Sequence, residues 1–177
     1  MKKLLVLLMA CALLLCACTS DGSAPTKPEE ISVGNQVLSY EDSSEEFERC
    51  GFASGKKMFD IGAKGNGVLV GDDGDVRYIR TEDSSVLTYK GIKVGDSIEK
   101  VKEAFDVVTG LGTPMVTVIM DSETGESLDT TKIPMNEAKD DWIYITYYLD
   151  EPAGTIEKIT CTFDGLCSLA LRLHVRR

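Results

Sequence analysis

Histidine is nearly absent from the chain: His174 is the single one in 177 residues. One imidazole, near the C-terminus, leaves Ser-His-Asp and Cys-His nucleophile systems without their base and a His-rich zinc site without its ligands. Strand alternation sets His174 opposite Leu171 and Leu173, as an exposed and idle side chain. Basic residues are also outnumbered, 19 Lys and Arg against 29 Asp and Glu, for a net charge of −10. Lys2 and Lys3 lie in a leader-like segment, so without them the chain carries about −12. Such a chain is repelled by phosphate backbones and anionic headgroups, which sets nucleic-acid binding aside. Its acid excess reads as solubility. Long apolar runs are missing as well: Leu4 to Leu15 spans twelve residues, where a membrane-crossing helix needs ~20.

What is present at the start is a secretory pattern. Lys2-Lys3 forms a positive region, Leu4 to Leu15 an apolar one, and Leu15-Cys16-Ala17-Cys18 follows. This tetrad resembles the lipobox of bacterial lipoproteins, an aliphatic residue and a small residue ahead of a cysteine. Cys16 lacks the small residue before it, and Cys11 would leave an apolar region of only seven or so residues. The resemblance implies a signal peptide over 1–17 and a Cys18 alkylated by diacylglycerol, with enough acyl chain for stable anchoring. Thr19 to about Gly34 is rich in Ser, Thr, Pro, Gly and acid, and 18–34 is expected to be a flexible tether.

Three cysteines remain: Cys50, Cys161 and Cys167. Ile159, Cys161 and Phe163 alternate with polar residues, as do Cys167, Leu169, Leu171, Leu173 and Val175. A hairpin with a three-residue loop, Phe163-Asp164-Gly165, would keep both apolar faces together and set Cys161 opposite Cys167. That spacing allows a disulfide, with Cys50 as the rival partner.

The body, residues 35–177, reads as one α+β domain: an antiparallel β-sheet packed on one face by two helices, built from two tandem helix-then-three-strand units, about 35–88 and 89–177. In the second unit Asp96 and Glu99 fit a capping box, and Ile98, Val101, Ala104 and Phe105 make an apolar helical stripe. Strands are expected at MVTVIM, WIYITYYL, IEKITCTF and CSLALRLHV. In the first unit Ser43 or Ser44 caps a brief helix through Phe47 to about Arg49. Strands KKMFDI, GVLV and VRYIRT are expected after it, the last two joined at Asp72-Asp73-Gly74-Asp75.

GIKVGDSIEKVKEAF, followed by Leu111-Gly112-Thr113-Pro114, Trp142-Ile143-Tyr144 and Phe163-Asp164, resembles two related groups. One is uncharacterised lipoproteins related in fold to beta-lactamase inhibitory protein. The other is the small lipoproteins of the outer-membrane barrel assembly machinery (SmpA/OmlA type). The likeness covers roughly Gly91 to Leu173; the stretch from Met115 to Asp141 and the first unit depart from the assembly subunit. It implies helix-plus-sheet units and an envelope location.

Other constellations are weak. Asp72-Asp73-Gly74-Asp75 lacks the ligand spacing and closing Glu of a calcium loop and reads as an acidic turn. Gly62 to Gly67 fits neither a dinucleotide fingerprint nor a P-loop. In WIYITYYL, Trp142, Tyr144 and Tyr148 share one face, and an exposed sheet surface carrying them would suit protein contact; cross-strand packing is the rival role. The chain is thus expected to be a lipid-anchored, extracytoplasmic, non-enzymatic protein-binding module on a bacterial cell membrane or outer membrane. It would use no cofactor and no metal. Its partners would be the membrane, through the lipid, and another envelope protein. Alternatives are an inhibitor of an envelope or secreted hydrolase, or a small-ligand-binding or enzymatic lipoprotein using carboxylates.

Overall fold

The computed structural model describes residues 22–106, 108–110, 114–129, 142–151 and 153–163. The N-terminal segment with Cys18, the segment with Cys167 and the single histidine, His174, lie outside the described residues.

The chain is β-rich. In order it forms β1 (Glu30–Val33), β2 (Gln36–Ser39), α1 (Ser44–Arg49), β3 (Ala53–Gly55), β4 (Gly67–Val70), β5 (Val76–Thr81), β6 (Val86–Leu87), a 3-10 turn (Tyr89–Gly91), α2 (Ile98–Ala104), β7 (Thr109–Gly110), β8 (Met115–Asp121), β9 (Trp142–Asp150) and β10 (Thr155–Thr162). Among the described residues a seven-stranded sheet runs β3-β4-β5-β10-β9-β8-β7, antiparallel except for the β3–β4 pair. A second sheet, β2-β1-β6, is antiparallel. No helix among the described residues is long and apolar enough to cross a membrane.

The expectation of one sheet covered by two helices is overturned. α1 has 6 residues and buries only Phe47; α2 has 7 and buries only Val101. Helices of one to two turns cannot blanket seven strands. The three-stranded sheet therefore shares the task, supplying Ile31, Leu38 and Val86 to the same core as Val68, Ile79, Val118, Ile145, Tyr147 and Ile159. This continuous core spans both expected units, which are not tandem copies: among the described residues four strands follow α2, and the first unit's edge pair is parallel.

Local chemistry explains the element ends. Ser43 caps α1, and the Glu46 carboxylate accepts from the Ser43 N–H at 3.1 Å. α2 is capped one residue later than expected: Ser97 Oγ accepts from the Lys100 N–H at 3.4 Å. Asp96 instead accepts from the Lys93 N–H at 2.9 Å and from Lys100 Nζ at 2.8 Å, while Glu99 pairs with Lys102. Val33 and Gln36 face each other across Gly34 and Asn35, and Gly34 supplies the positive φ of +59° that this tight reversal needs. Asp72 to Asp75 forms the β4–β5 turn, with Gly74 at φ +97° and Arg77 bridging Asp73 and Asp75.

Two further expectations are corrected. Residues 22–34 are not a free tether: Pro25, Pro28 and Ile31 are buried, and β1 pairs on both sides. The Lys56–Ile61 segment is a loop, not a strand. Asp60 Oδ2 accepts from the N–H groups of Lys56 (3.1 Å) and Lys57 (2.9 Å), withdrawing them from any ladder.

Candidate functional site

Residues directly opposite in a ladder share a face, so the register sorts the large sheet into two surfaces. One row, Val68-Ile79-Cys161-Ile145-Val118, belongs to the core. On the other surface lie the rows Arg80-Thr160-Thr146-Thr117, Tyr78-Thr162-Tyr144-Ile119 and Lys158-Tyr148-Met115. Thr117 and Thr146 hydroxyls sit 2.9 Å apart, a cross-strand hydrogen bond at the centre of this second face.

The three aromatics expected to form an exposed contact face do share this surface, but they do not share exposure. Trp142 and Tyr144 are 7% and 5% exposed and pack with Ile119 and Leu128. The turn after β8 supplies part of that cover. Gly125 N–H donates to Asp121 O at 2.9 Å and Leu128 N–H to Ile119 O at 2.8 Å, which folds Leu128 back over the rings. Trp142 and Tyr144 thus take the packing role, and Tyr148 alone of the three is half-buried. Lys158 Nζ lies 3.6 Å from the Tyr148 ring centroid, close enough for a cation–π contact. Burial, and after it the proximity of Tyr148, push the Tyr78 hydroxyl up to about 12, so it is a neutral phenol at ordinary pH. Sequence patterning missed Tyr78 and Lys158; Tyr78 and Arg80 flanking Ile79 carried the signal, but their pairing with β10 did not show in it.

Arg80 is 4% exposed and lies on this surface between Gly67 of β4 and Thr160 of β10. Its guanidinium donates to four carbonyls of the loop between β3 and β4: Nε to Gly65 O (2.9 Å), Nη1 to Gly62 O, and Nη2 to Ile61 O and Lys64 O (each 3.0 Å). The glycine-rich loop is a clamp around a cation, and Glu82 closes it by accepting from the Gly65 N–H at 3.0 Å.

The cysteine expectations change. Cys161 is buried on the core face, with Ile79 opposite on β5 and Ile145 opposite on β9. Both of its cross-strand places are filled, so the hairpin register pairing Cys161 with Cys167 has no free edge to use. The rival bridge is not formed either: Cys50 and Cys161 are both free thiols, and Cys50 Sγ donates to Gln36 Oε1 at 3.3 Å. Burial pushes the Cys161 thiol up to about 12. Among the described residues no group of three or more His, Cys, Asp or Glu side chains is placed to hold a metal ion.

The fold and this surface together define a class: a small two-sheet β-rich domain presenting a Tyr- and Lys-bearing sheet face. No family model matches the chain, and no curated protein or solved structure matches it.

Proposed function

We propose that the protein is a lipid-anchored, extracytoplasmic, non-enzymatic module of the bacterial envelope that binds another envelope protein through the Tyr78, Tyr148 and Lys158 strip. The anchor reading rests on Leu15-Cys16-Ala17-Cys18 behind the short apolar run. The binding reading is carried by one observation. Tyr148 remains half-exposed under Lys158 on the sheet face that also carries Tyr78, while Trp142 and Tyr144 are consumed by packing. Tyrosine supplies a large rigid contact area at low entropy cost and a hydroxyl that hydrogen-bonds at an interface.

The test is cross-linking and affinity capture of the full lipoprotein from native membranes, with Cys18→Ala and Tyr148→Ala forms alongside. One stoichiometric partner is expected with the anchored wild type, lost with Cys18→Ala. Tyr148→Ala should weaken its affinity by at least about thirtyfold, the loss typical of an interface hot spot, at unchanged melting temperature. Undiminished capture by Tyr148→Ala removes the strip from the interface.

A further inference from the structure

The loop from Lys56 to Asp60 displays apolar side chains where a solvated turn would hide or omit them. Phe59 is 77% and Met58 50% exposed, the two most exposed large hydrophobics of the described residues. This is not a slack segment. Asp60 Oδ2 binds the two N–H groups at its start, and Asp60 N–H donates to Lys57 O at 2.9 Å. Gly62 N–H returns to Phe59 O, and the four bonds from Arg80 hold the chain immediately after it. Ile61, 2% exposed, packs against Gly67 and roots the loop in the domain. A fixed backbone that turns a phenyl ring and a thioether outward is a displayed knob.

The charges carried by the loop itself differ from the balance of the whole chain. Lys56, Lys57 and Lys64 lie on this loop with Asp60 as its one acid, in a chain of net −10. The Asp60 carboxylate is engaged by backbone N–H groups. Lys57 Nζ stands 5.8 Å from the Phe59 ring centroid, so cation and ring project together. The Lys56–Asp72 contact, 2.8 Å, joins two well-exposed side chains and is readily exchanged for another anion.

We propose that this knob is a second membrane contact. Met58 and Phe59 enter the acyl-chain boundary of the bilayer, and Lys56 and Lys57 meet anionic phospholipid headgroups. The proposal rests on the lipid-anchor reading, which brings the bilayer to the domain: chain packing begins by Gly22 and Pro25 is already buried, only a few residues beyond Cys18. An apolar tip flanked by lysines is the chemistry of interfacial insertion, with apolar burial and headgroup attraction adding. The acid excess elsewhere is repelled by the same headgroups, so the knob is the part of this surface that the field turns towards them. Anchor and knob together would set the orientation of the domain rather than leave it to swivel on its lipid.

The full lipoprotein with Phe59→Trp, reconstituted in vesicles of phosphatidylglycerol and phosphatidylcholine, tests this by fluorescence, with wild type as the Trp142 background. The added emission should shift to the blue and be quenched by lipids brominated in the acyl chain. Lys56→Glu with Lys57→Glu should abolish that quenching, while flotation with vesicles persists. Flotation with an unquenched, water-like emission from the introduced indole overturns the knob and spares the anchor. Failure to float overturns the anchor reading and this inference with it. Equal quenching in pure phosphatidylcholine overturns the headgroup contact. A photo-cross-linker at position 59 that yields a protein adduct or a second copy of the chain in place of a lipid adduct also overturns the proposal.

Discussion

Arg80→Met removes the cation on which the loop between β3 and β4 is folded. Four carbonyls lose their donor. Three of these hydrogen bonds are only partly buried, so Gly62 O, Gly65 O and Lys64 O regain water; the bond to Ile61 O is buried, and its acceptor is left without a donor. A charge-assisted bond contributes about 1.5–3 kcal/mol and an orphaned buried acceptor costs about 1–3 kcal/mol. Against this, the variant is spared the desolvation of a guanidinium that has carbonyl dipoles but no carboxylate in its clamp. The net loss should be about 2–4 kcal/mol, which lowers Tm by roughly 5–15 °C for a domain of this size. Urea unfolding of the full chain measures the stability, and hydrogen exchange at 61–66 should show protection lost there first. Arg80→Lys keeps the charge but not the planar fork that reaches four acceptors, so it should recover less than half of the difference. An Arg80→Met protein within about 0.5 kcal/mol of wild type, with the loop amides still protected, would refute the reasoning.

The remaining predictions concern ionisation and access. At about pH 8, where a free thiol is partly ionised, Cys50 should be alkylated in the native protein while Cys161, buried and with its pKa pushed up to about 12, should react only after unfolding; equal native rates would contradict the burial of Cys161. Cys161 and Tyr78 both have folded-state pKa values of about 12, raised from 9.0 and 10.0 chiefly by burial, so the unfolded chain loses these protons first. Their contribution to stability is therefore complete below about pH 9 and is lost as pH rises towards about 12, and burial acts in the same direction on Tyr147. Denaturant midpoints measured across that range should fall, with a shallower slope in Tyr78→Phe; a flat profile would count against the burial assigned to these groups.

Much of the strand content was legible because it is written locally. β4, β5, β8, β9 and β10 all fall where alternation and β-branched residues predict them, and the Ser43 cap and the Val101 stripe are short-range signals. What failed were judgements of cover. Apolar alternation in WIYITYYL showed two faces, but not that Leu128 folds back onto the second. Lys56–Ile61 contains apolar residues as a strand does, yet Asp60 takes the backbone N–H groups that a strand would need. The Thr19–Gly34 segment has a tether's composition, but Ile31 and the β6 edge capture its second half.

The sequence by itself determined the Leu15-Cys16-Ala17-Cys18 pattern behind a short apolar run, the acidity, the scarcity of histidine and the two-residue period of the strands, since each depends on neighbours along the chain. Only the tertiary structure decided that β10 lies between β5 and β9. That choice pairs Cys161 with Ile79 and Ile145 and closes the edge that a hairpin to Cys167 would need. It also sets Tyr148 beside Lys158 and lets Arg80, opposite Thr160, organise a loop earlier in the chain. The physical reason is that a strand's alternation specifies which side chains share a face, whereas its lateral partner is chosen by the fit of the whole core. A strand with one free edge and a strand enclosed on both sides can carry the same pattern.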